Sequence, residues 1–268
     1  MPPKLANLHI YPLKSGAPLA LEHARVEPRG LEHDRRWMVV DDNARFLTAR
    51  TLPRLTLIRA VPAGNDALQL AAPGAPPLHL NLPMPNRSRI AVTVWNDTVD
   101  ALPADAEADA WISRFLDLAC RLVYMDDGSS RGVDRTYARE GDQVSFADGF
   151  PLLAISQAAL DQLNDKLAQP VSMLRFRPNL VISGTEPHAE DDWKQIRIGG
   201  TVFDVVKPCM RCVLTTVDFE RGMFDADGEP LRTLKTYRRG EKGISFGENL
   251  IPRGSGELKI GDSVEVLA

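Results

Sequence analysis

Residues 201–217 read TVFDVVKPCMRCVLTTV. Thr201–Val206 and Val213–Val217 are β-branched runs of strand length, and they flank Lys207-Pro208-Cys209-Met210-Arg211-Cys212. β-Branched residues fit the pleated surface of a sheet, so the stretch predicts two strands with a thiol pair in the loop between them. Gly199-Gly200 separates Thr201–Val206 from the apolar-polar run Gln195–Ile198, which predicts a tight hairpin on the upstream side.

Working outward, the same pattern recurs. Asn179–Ser183 and Val264–Leu267 extend the strand set at the C-terminal end, and Arg121–Met125 adds one before the polar loop Asp126–Arg139. In the first hundred residues Leu5–Tyr11, Trp37–Val40, Arg45–Ala49, Thr56–Ala60 and Leu68–Leu70 read as strands. Pro73 to Pro85 reads as loop around Leu78–Leu82, and Ile90–Trp95 with Thr98–Ala101 flanks Asn96-Asp97 as a hairpin. Two helices are predicted: Asp105–Leu118, with Ala108, Trp111, Ile112, Phe115 and Leu118 on one face, and Ser156–Ala168, capped by Ser156 and stopped by Pro170. The expectation is a β-rich α+β fold of two packed modules, divided at 1–100 and 101–268.

The chain has 268 residues, 32 Lys plus Arg and 36 Asp plus Glu, hence a formal net charge of −4. That balance argues against a dedicated nucleic-acid binder. The N-terminus MPPKLANLHIYPLKS has no signal-peptide core or transit pattern, and no run approaches a membrane helix, so the reading is a cytoplasmic chain with no membrane partner. Three cysteines, two of them close together, suit a reducing compartment better than a disulfide framework.

The Cys209/Cys212 pair is open to several readings. A structural zinc would need two further ligands, and Cys120 and the five scattered His lack the spacing. A thioredoxin-type pair belongs at a helix N-terminus, whereas this one precedes a β-branched run. A single thiolate ligating a cofactor-borne transition metal is the third reading, with Lys207 and Arg211 favouring the anion. Two buried core cysteines are the fourth. Three other segments bring cations to strand ends: Lys14-Ser15, His33-Asp34-Arg35-Arg36, and Arg175-Phe176-Arg177-Pro178-Asn179. Such groups suit a phosphate or pterin-type anion. Trp37, Trp95, Trp111 and Trp193 read as packing residues, and Glu190-Asp191-Asp192 as a solvated loop.

Nine stretches together resemble the MOSC-domain family, in particular the branch that includes the mitochondrial amidoxime-reducing component and its bacterial relatives. YPLKS, GLEHDRRWMVVD and FLTAR are similar to its N-terminal β-barrel-like module. FADGFPLLAIS, LRFRPNLVISG, EDDWKQIRIG, KPCMRCVLTTVD, FGENLIP and IGDSVEVL are similar to its MOSC β-barrel, which carries a few helices. The resemblance implies a molybdenum cofactor (Mo-molybdopterin) with Cys212 as the metal ligand. It implies cofactor contacts from Lys14, Ser15, Arg35, Arg177, Asn179 and Arg211, a main-chain contact at Met210, and an acidic catalytic position at Asp148. Lys207 is expected to join these cations, Cys209 to play a supporting part and Cys120 to lie in a core. The implied activity is reduction of N-hydroxylated compounds, with electrons from a separate ferredoxin- or cytochrome-type protein fed by a flavoprotein reductase. The alternative is a sulfur carrier or a cofactor-delivery module. Relatives with an N-terminal anchor or a C-terminal ferredoxin domain differ in parts this sequence does not show.

Overall fold

The computed structural model describes residues 2–64 and 66–268. Its principal sheet runs, in spatial order, Leu19–Leu21, Lys4–Ile10, Leu180–Ser183, Leu152–Ser156, Gly243–Pro252, Thr201–Met210, Gln195–Ile198 and Val264–Val266. Only the pair Leu152–Ser156 with Leu180–Ser183 is parallel. The first strand returns to the last: Leu5 N donates to Asp262 O at 2.9 Å and Val264 N to Pro3 O at 3.0 Å, so the sheet closes on itself as a barrel. Closure removes the exposed edge that an open sheet would present.

Alternation along these strands builds two cores. Leu152, Ala154, Leu180, Ile182, Phe203 and Leu250 point into the barrel interior. Leu153, Ile155, Val181 and Phe246 point the other way, into a core shared with the helix Gln157–Asn164. This two-sided burial explains why LLAI and LVI read as unbroken apolar runs.

A second sheet has the order Trp37–Val40, Arg121–Tyr124, Asp97–Pro103, Ile90–Val94, and beside it Arg59–Pro62, Ala67–Ala72 and Ala75–Asn81 form a meander. Trp37 and Val39 enter one core, with Trp111, Ile112 and Phe115 of the helix Ala106–Leu116. Met38 and Val40 enter another with Val92, Val94 and Phe146. The chain therefore begins in the barrel, crosses to the second sheet and returns. The fold is β-rich α+β, as the sequence predicts. Among the described residues no helix is long and apolar enough to cross a membrane.

Several predicted elements differ. Val213–Val217 is not a strand. Val213–Thr216 winds a 3-10 turn, because Cys212 O accepts from Thr215 N and Thr215 Oγ1, at 3.1 and 3.0 Å, and Thr216 Oγ1 donates to Val213 O. Threonine hydroxyls that bond locally to the backbone compete with a sheet ladder. Instead the strand Thr201–Met210 runs on through Cys209. Arg45–Ala49 makes only isolated bridges, Pro53–Leu57 is a 3-10 turn ahead of Arg59–Pro62, and the expected Pro73–Pro85 loop holds a full strand. The second helix stops at Asn164, whose amide takes Val171 N and donates to Val171 O. The helix Leu231–Tyr237 is additional to those expected.

Candidate active site

Where the barrel meets the second sheet, loops from both line one cleft. The walls are Lys14-Ser15, Arg35, Thr48 and Arg50, Ala147–Phe150, Arg175–Arg177 with Asn179, and Cys209–Cys212 with Leu214-Thr215. Six of the lining residues are basic (Lys14, Arg35, Arg50, Arg175, Arg177, Arg211) and one, Asp148, is acidic. A chain of net charge −4 thus gathers positive charge in this cleft.

Tyr11 is the hub of one wall. It is fully buried, its hydroxyl donates to Pro178 O at 3.1 Å, and its N–H donates to Asp34 Oδ1 at 2.8 Å. The guanidinium carbons of Arg35 and Arg177 lie 4.3 and 4.1 Å from its ring centroid. Arg35 also binds Asp34, and donates to Asn179 Oδ1 at 3.0 Å and to Arg177 O at 3.2 Å. Arg177 Nη1 donates to Gly16 O at 2.8 Å, while its Nη2 is buried without a partner. Burial pulls Arg177 down to about 10. Ser15, Arg35 and Arg177 all have positive φ, of 65°, 49° and 56°, so the backbone is bent sharply at three points of this wall.

The opposite wall is a chain of charges. Buried Lys14 donates to Phe146 O at 2.7 Å and to Asp148 Oδ1 at 2.8 Å. Asp148 Oδ2 accepts from Arg50 Nη2 at 2.7 Å, and Arg50 Nε donates to Cys212 Sγ at 3.1 Å. Trp95 closes the set, with Nε1 donating to Asp148 Oδ1 at 3.3 Å and its ring 4.3 Å from the Arg50 guanidinium. Burial lowers Lys14 to about 8, against the pull of Asp148. Burial pushes the Asp148 carboxyl up, but Lys14 and Arg50 outweigh it and hold it well below the usual carboxylate range. Asp148 is therefore an acceptor at neutral pH.

The remaining predicted residues fall as follows. Ser15 Oγ accepts from Ala49 N at 3.1 Å and leaves its own proton free to donate. Asn179 lines the cleft with its amide engaged: Nδ2 donates to His9 O, and Oδ1 accepts from Leu153 N and Arg35. Arg211 lines the cleft but spends its guanidinium on Phe246 O and Phe176 O, which fixes the loop carrying Cys212. Met210 ends its strand on the cleft wall. Lys207 does not join the cations of the cleft; its ammonium lies over the rings of Tyr137, at 4.7 Å, and Phe150. Cys209 packs against the core of Phe176 and Phe246, where burial pushes its thiol up. Cys120 is buried beside Ser113, in a core away from the cleft.

Two residues of the site were missed. Arg50 lies in the FLTAR stretch, yet nothing local marks it, because its partners are 98 and 162 positions away. Trp95 does pack, with its ring centroid 4.7 Å from that of Phe46, but it is also 39% exposed and bonded to Asp148 beside the cleft. Its positive φ at a hairpin turn, 56°, is the tertiary clue. Glu190 corrects another expectation. It is buried rather than solvated, with Oε1 accepting from Ser156 N at 2.9 Å.

The cleft suits an anionic group bearing a metal. Arg177 Nη2 is an unmet buried donor, Lys14 and Ser15 add further donors, and Cys212 supplies a soft thiol. Among the described residues no three His, Cys, Asp or Glu side chains form a metal-ligand set, so a metal on Cys212 must bring its other ligands with it.

The profile of the MOSC N-terminal beta barrel domain matches residues 3–118, and that of the MOSC domain matches residues 141–265. Mitochondrial amidoxime-reducing component 1 of Mus musculus is 35% identical over 281 residues, spanning 98% of this chain and 82% of that protein. The Xenopus laevis protein of the same name is 32% identical, covering 97% and 81%, and the Homo sapiens one is 33% identical, covering 98% and 82%.

Proposed function

The chain belongs to the MOSC-domain family that includes the mitochondrial amidoxime-reducing components, and from that premise we propose that it is a molybdenum-cofactor-dependent reductase of N-hydroxylated compounds. Its substrates are amidoximes, hydroxylamines and N-hydroxylated bases. Each turnover takes two electrons and two protons, cleaves the N–O bond, and releases the N–H product and water. The observation that carries the proposal is the convergence of Lys14, Arg35 and Arg177 on the cleft that holds Cys212, with one buried guanidinium nitrogen lacking a partner.

When bound, the cofactor supplies the two-electron redox change at molybdenum. Cys212 provides its protein ligand. Lys14, Ser15 and Arg177 hold the pterin phosphate, and Arg35 and Asn179 brace that cradle through their mutual hydrogen bond and their hold on residues 9, 153 and 177. Met210 offers main-chain groups, and Arg211 fixes the turn on which Cys212 sits. Asp148, kept ionised, accepts a hydrogen bond from the substrate N–OH or amidine N–H and orients it. Trp95 and Arg50 shape the mouth and limit water there. Electrons come from a separate ferredoxin- or cytochrome-type protein fed by a flavoprotein reductase, and a cytoplasmic location belongs to the same proposal.

The test is turnover. Protein purified with full molybdenum content should oxidise a chemically reduced dye when benzamidoxime is added, and release benzamidine. Full occupancy without turnover refutes the reductase reading, and a persulfide on Cys212 by mass spectrometry favours a sulfur carrier.

A further inference from the structure

Behind the wall that carries Cys212 lies a second, open groove, and we propose that it is the docking site of a small acidic electron-carrier protein. The inference rests on the reductase reading. Val213, Phe224, Leu231, Lys235, Arg239 and Ile244 line the groove, together with Arg211 and Thr216. A single 3-10 turn separates it from the cleft: Leu214 and Thr215 face the cleft, and Val213 and Thr216 face the groove. Arg211 lines both. A carrier seated here is one turn of chain from Cys212.

The surface has the make-up of a protein contact. Val213, Met223 and Phe224 are three of the eight exposed large hydrophobics among the described residues, and they gather at this groove and its hairpin. Residues 231–242, LRTLKTYRRGEK, hold five basic side chains and one acidic, a local net charge of +4 in a chain of −4. Two of the five are spent, Arg232 on Glu229 at 2.7 Å and Arg238 on Asp191 at 2.6 Å. Lys235, Arg239 and Lys242 make no ion pair among the described residues. On the other side of the groove Asp225 Oδ1 accepts from Asp227 N and Glu229 N at 3.0 and 2.9 Å, and the Asp227 carboxylate lies 3.9 Å from Arg232, so the unpaired charge of the groove is on Lys235 and Arg239. An apolar centre with free cations on its rim fits an acidic protein surface, which it steers electrostatically.

On the reductase reading, reduction of one N–OH group takes two electrons from a donor protein, and the three cysteines of these 268 residues do not make a four-thiolate iron–sulfur cluster. A one-electron carrier docks twice per turnover, is oxidised each time, and leaves. Fast release suits a small contact, of the size typical of redox encounters.

The test uses the cofactor-loaded full chain, with reduced plant-type [2Fe–2S] ferredoxin as the probe. Lys235→Glu, Arg239→Glu and Lys242→Glu are combined in one variant, and Arg59→Glu with Arg121→Glu, at exposed positions of the meander and the second sheet, is the control. In the triple variant KM for ferredoxin should rise about tenfold and lose most of its salt dependence, while turnover driven by reduced methyl viologen stays at the wild-type level. An unchanged KM, or an equal rise in the control, overturns the docking site. Absence of viologen-driven turnover in the wild type condemns the reductase reading instead. The groove is then decided by titration with oxidised ferredoxin: salt-sensitive binding lost only in the triple variant supports it, and no such binding overturns it.

Discussion

Arg50 Nε donates to Cys212 Sγ at 3.1 Å across 162 positions of sequence, and the same guanidinium holds Asp148 at 2.7 Å. One rigid planar group thus fixes the distance between the thiol and the carboxylate of the site. A lysine could reach one of them as a point charge but could not serve both in one plane. Arg50→Lys should therefore lower kcat for benzamidoxime by about 10- to 100-fold, the range for groups that orient a metal ligand. Molybdenum content measured on the same sample should stay near the wild-type value. Unchanged kcat would show that the fork is incidental.

Cys212 and Cys120 make a paired test. Cys212→Ala should lose bound molybdenum and activity. Cys120→Ala, in a core remote from the cleft, should keep both and show only a lowered unfolding midpoint. Equal loss of metal in the two variants would place the ligand elsewhere.

Lys14 gives the anion site a pH dependence of known sign. Its ammonium is lowered to about 8, so it carries its charge below that pH and loses it above. Sulfate, a dianion throughout this range, should bind the cofactor-free protein up to about tenfold more weakly at pH 9 than at pH 7. Lys14→Met should bind weakly and with a flat profile. Isothermal titration reads both, and a wild-type affinity that rises with pH would contradict the assignment.

Glu248 carries a stability cost of the opposite kind. Burial, then Asp191 and Glu190, push it up to about 8, and Arg238 opposes them. Between roughly pH 4.5 and 8 the unfolded chain has released a proton that the native protein still holds, so stability falls as pH rises, by at most about 1.4 kcal/mol per pH unit. Glu248→Gln should flatten this slope and raise the urea midpoint at pH 8, with little effect at pH 4. Equal shifts at both pH values would show that the group does not titrate in this way.

Asn179 joins three segments through one amide, binding His9 O, Leu153 N and Arg35. Asn179→Ala should cost about 1–3 kcal/mol by leaving buried backbone groups unpaired, and should weaken sulfate binding through Arg35. A urea titration and the sulfate assay on the same variant check the two effects.

Local chemistry made much of this legible in advance. Trp37–Val40 announced a strand buried on both faces, and it is one, because an unbroken apolar run admits few other surroundings. Lys14, Arg35 and Arg177 stood beside strand ends and do line one cleft. Val213–Val217 misled, because its threonines bond back to their own turn rather than to a ladder, a choice that β-propensity does not encode.

By itself the sequence determined the β-rich class, strands such as Trp37–Val40, Arg121–Tyr124 and Gln195–Ile198, the family the chain belongs to, and the residue types that gather near the thiol pair, since alternation, turn residues and motifs are written in neighbouring positions. The tertiary structure alone decided that Arg50 rather than Lys207 joins the site, that Trp95 faces the cleft mouth, and that Glu190 is buried. These depend on the barrel's closure, which brings residues 100 or more positions apart to within a few ångströms, and on the surroundings of each group: burial lowers Lys14 and raises Glu248, while Lys14 and Arg50 hold Asp148 ionised. No local pattern holds that information, because the field at a side chain is summed over the groups the fold places around it.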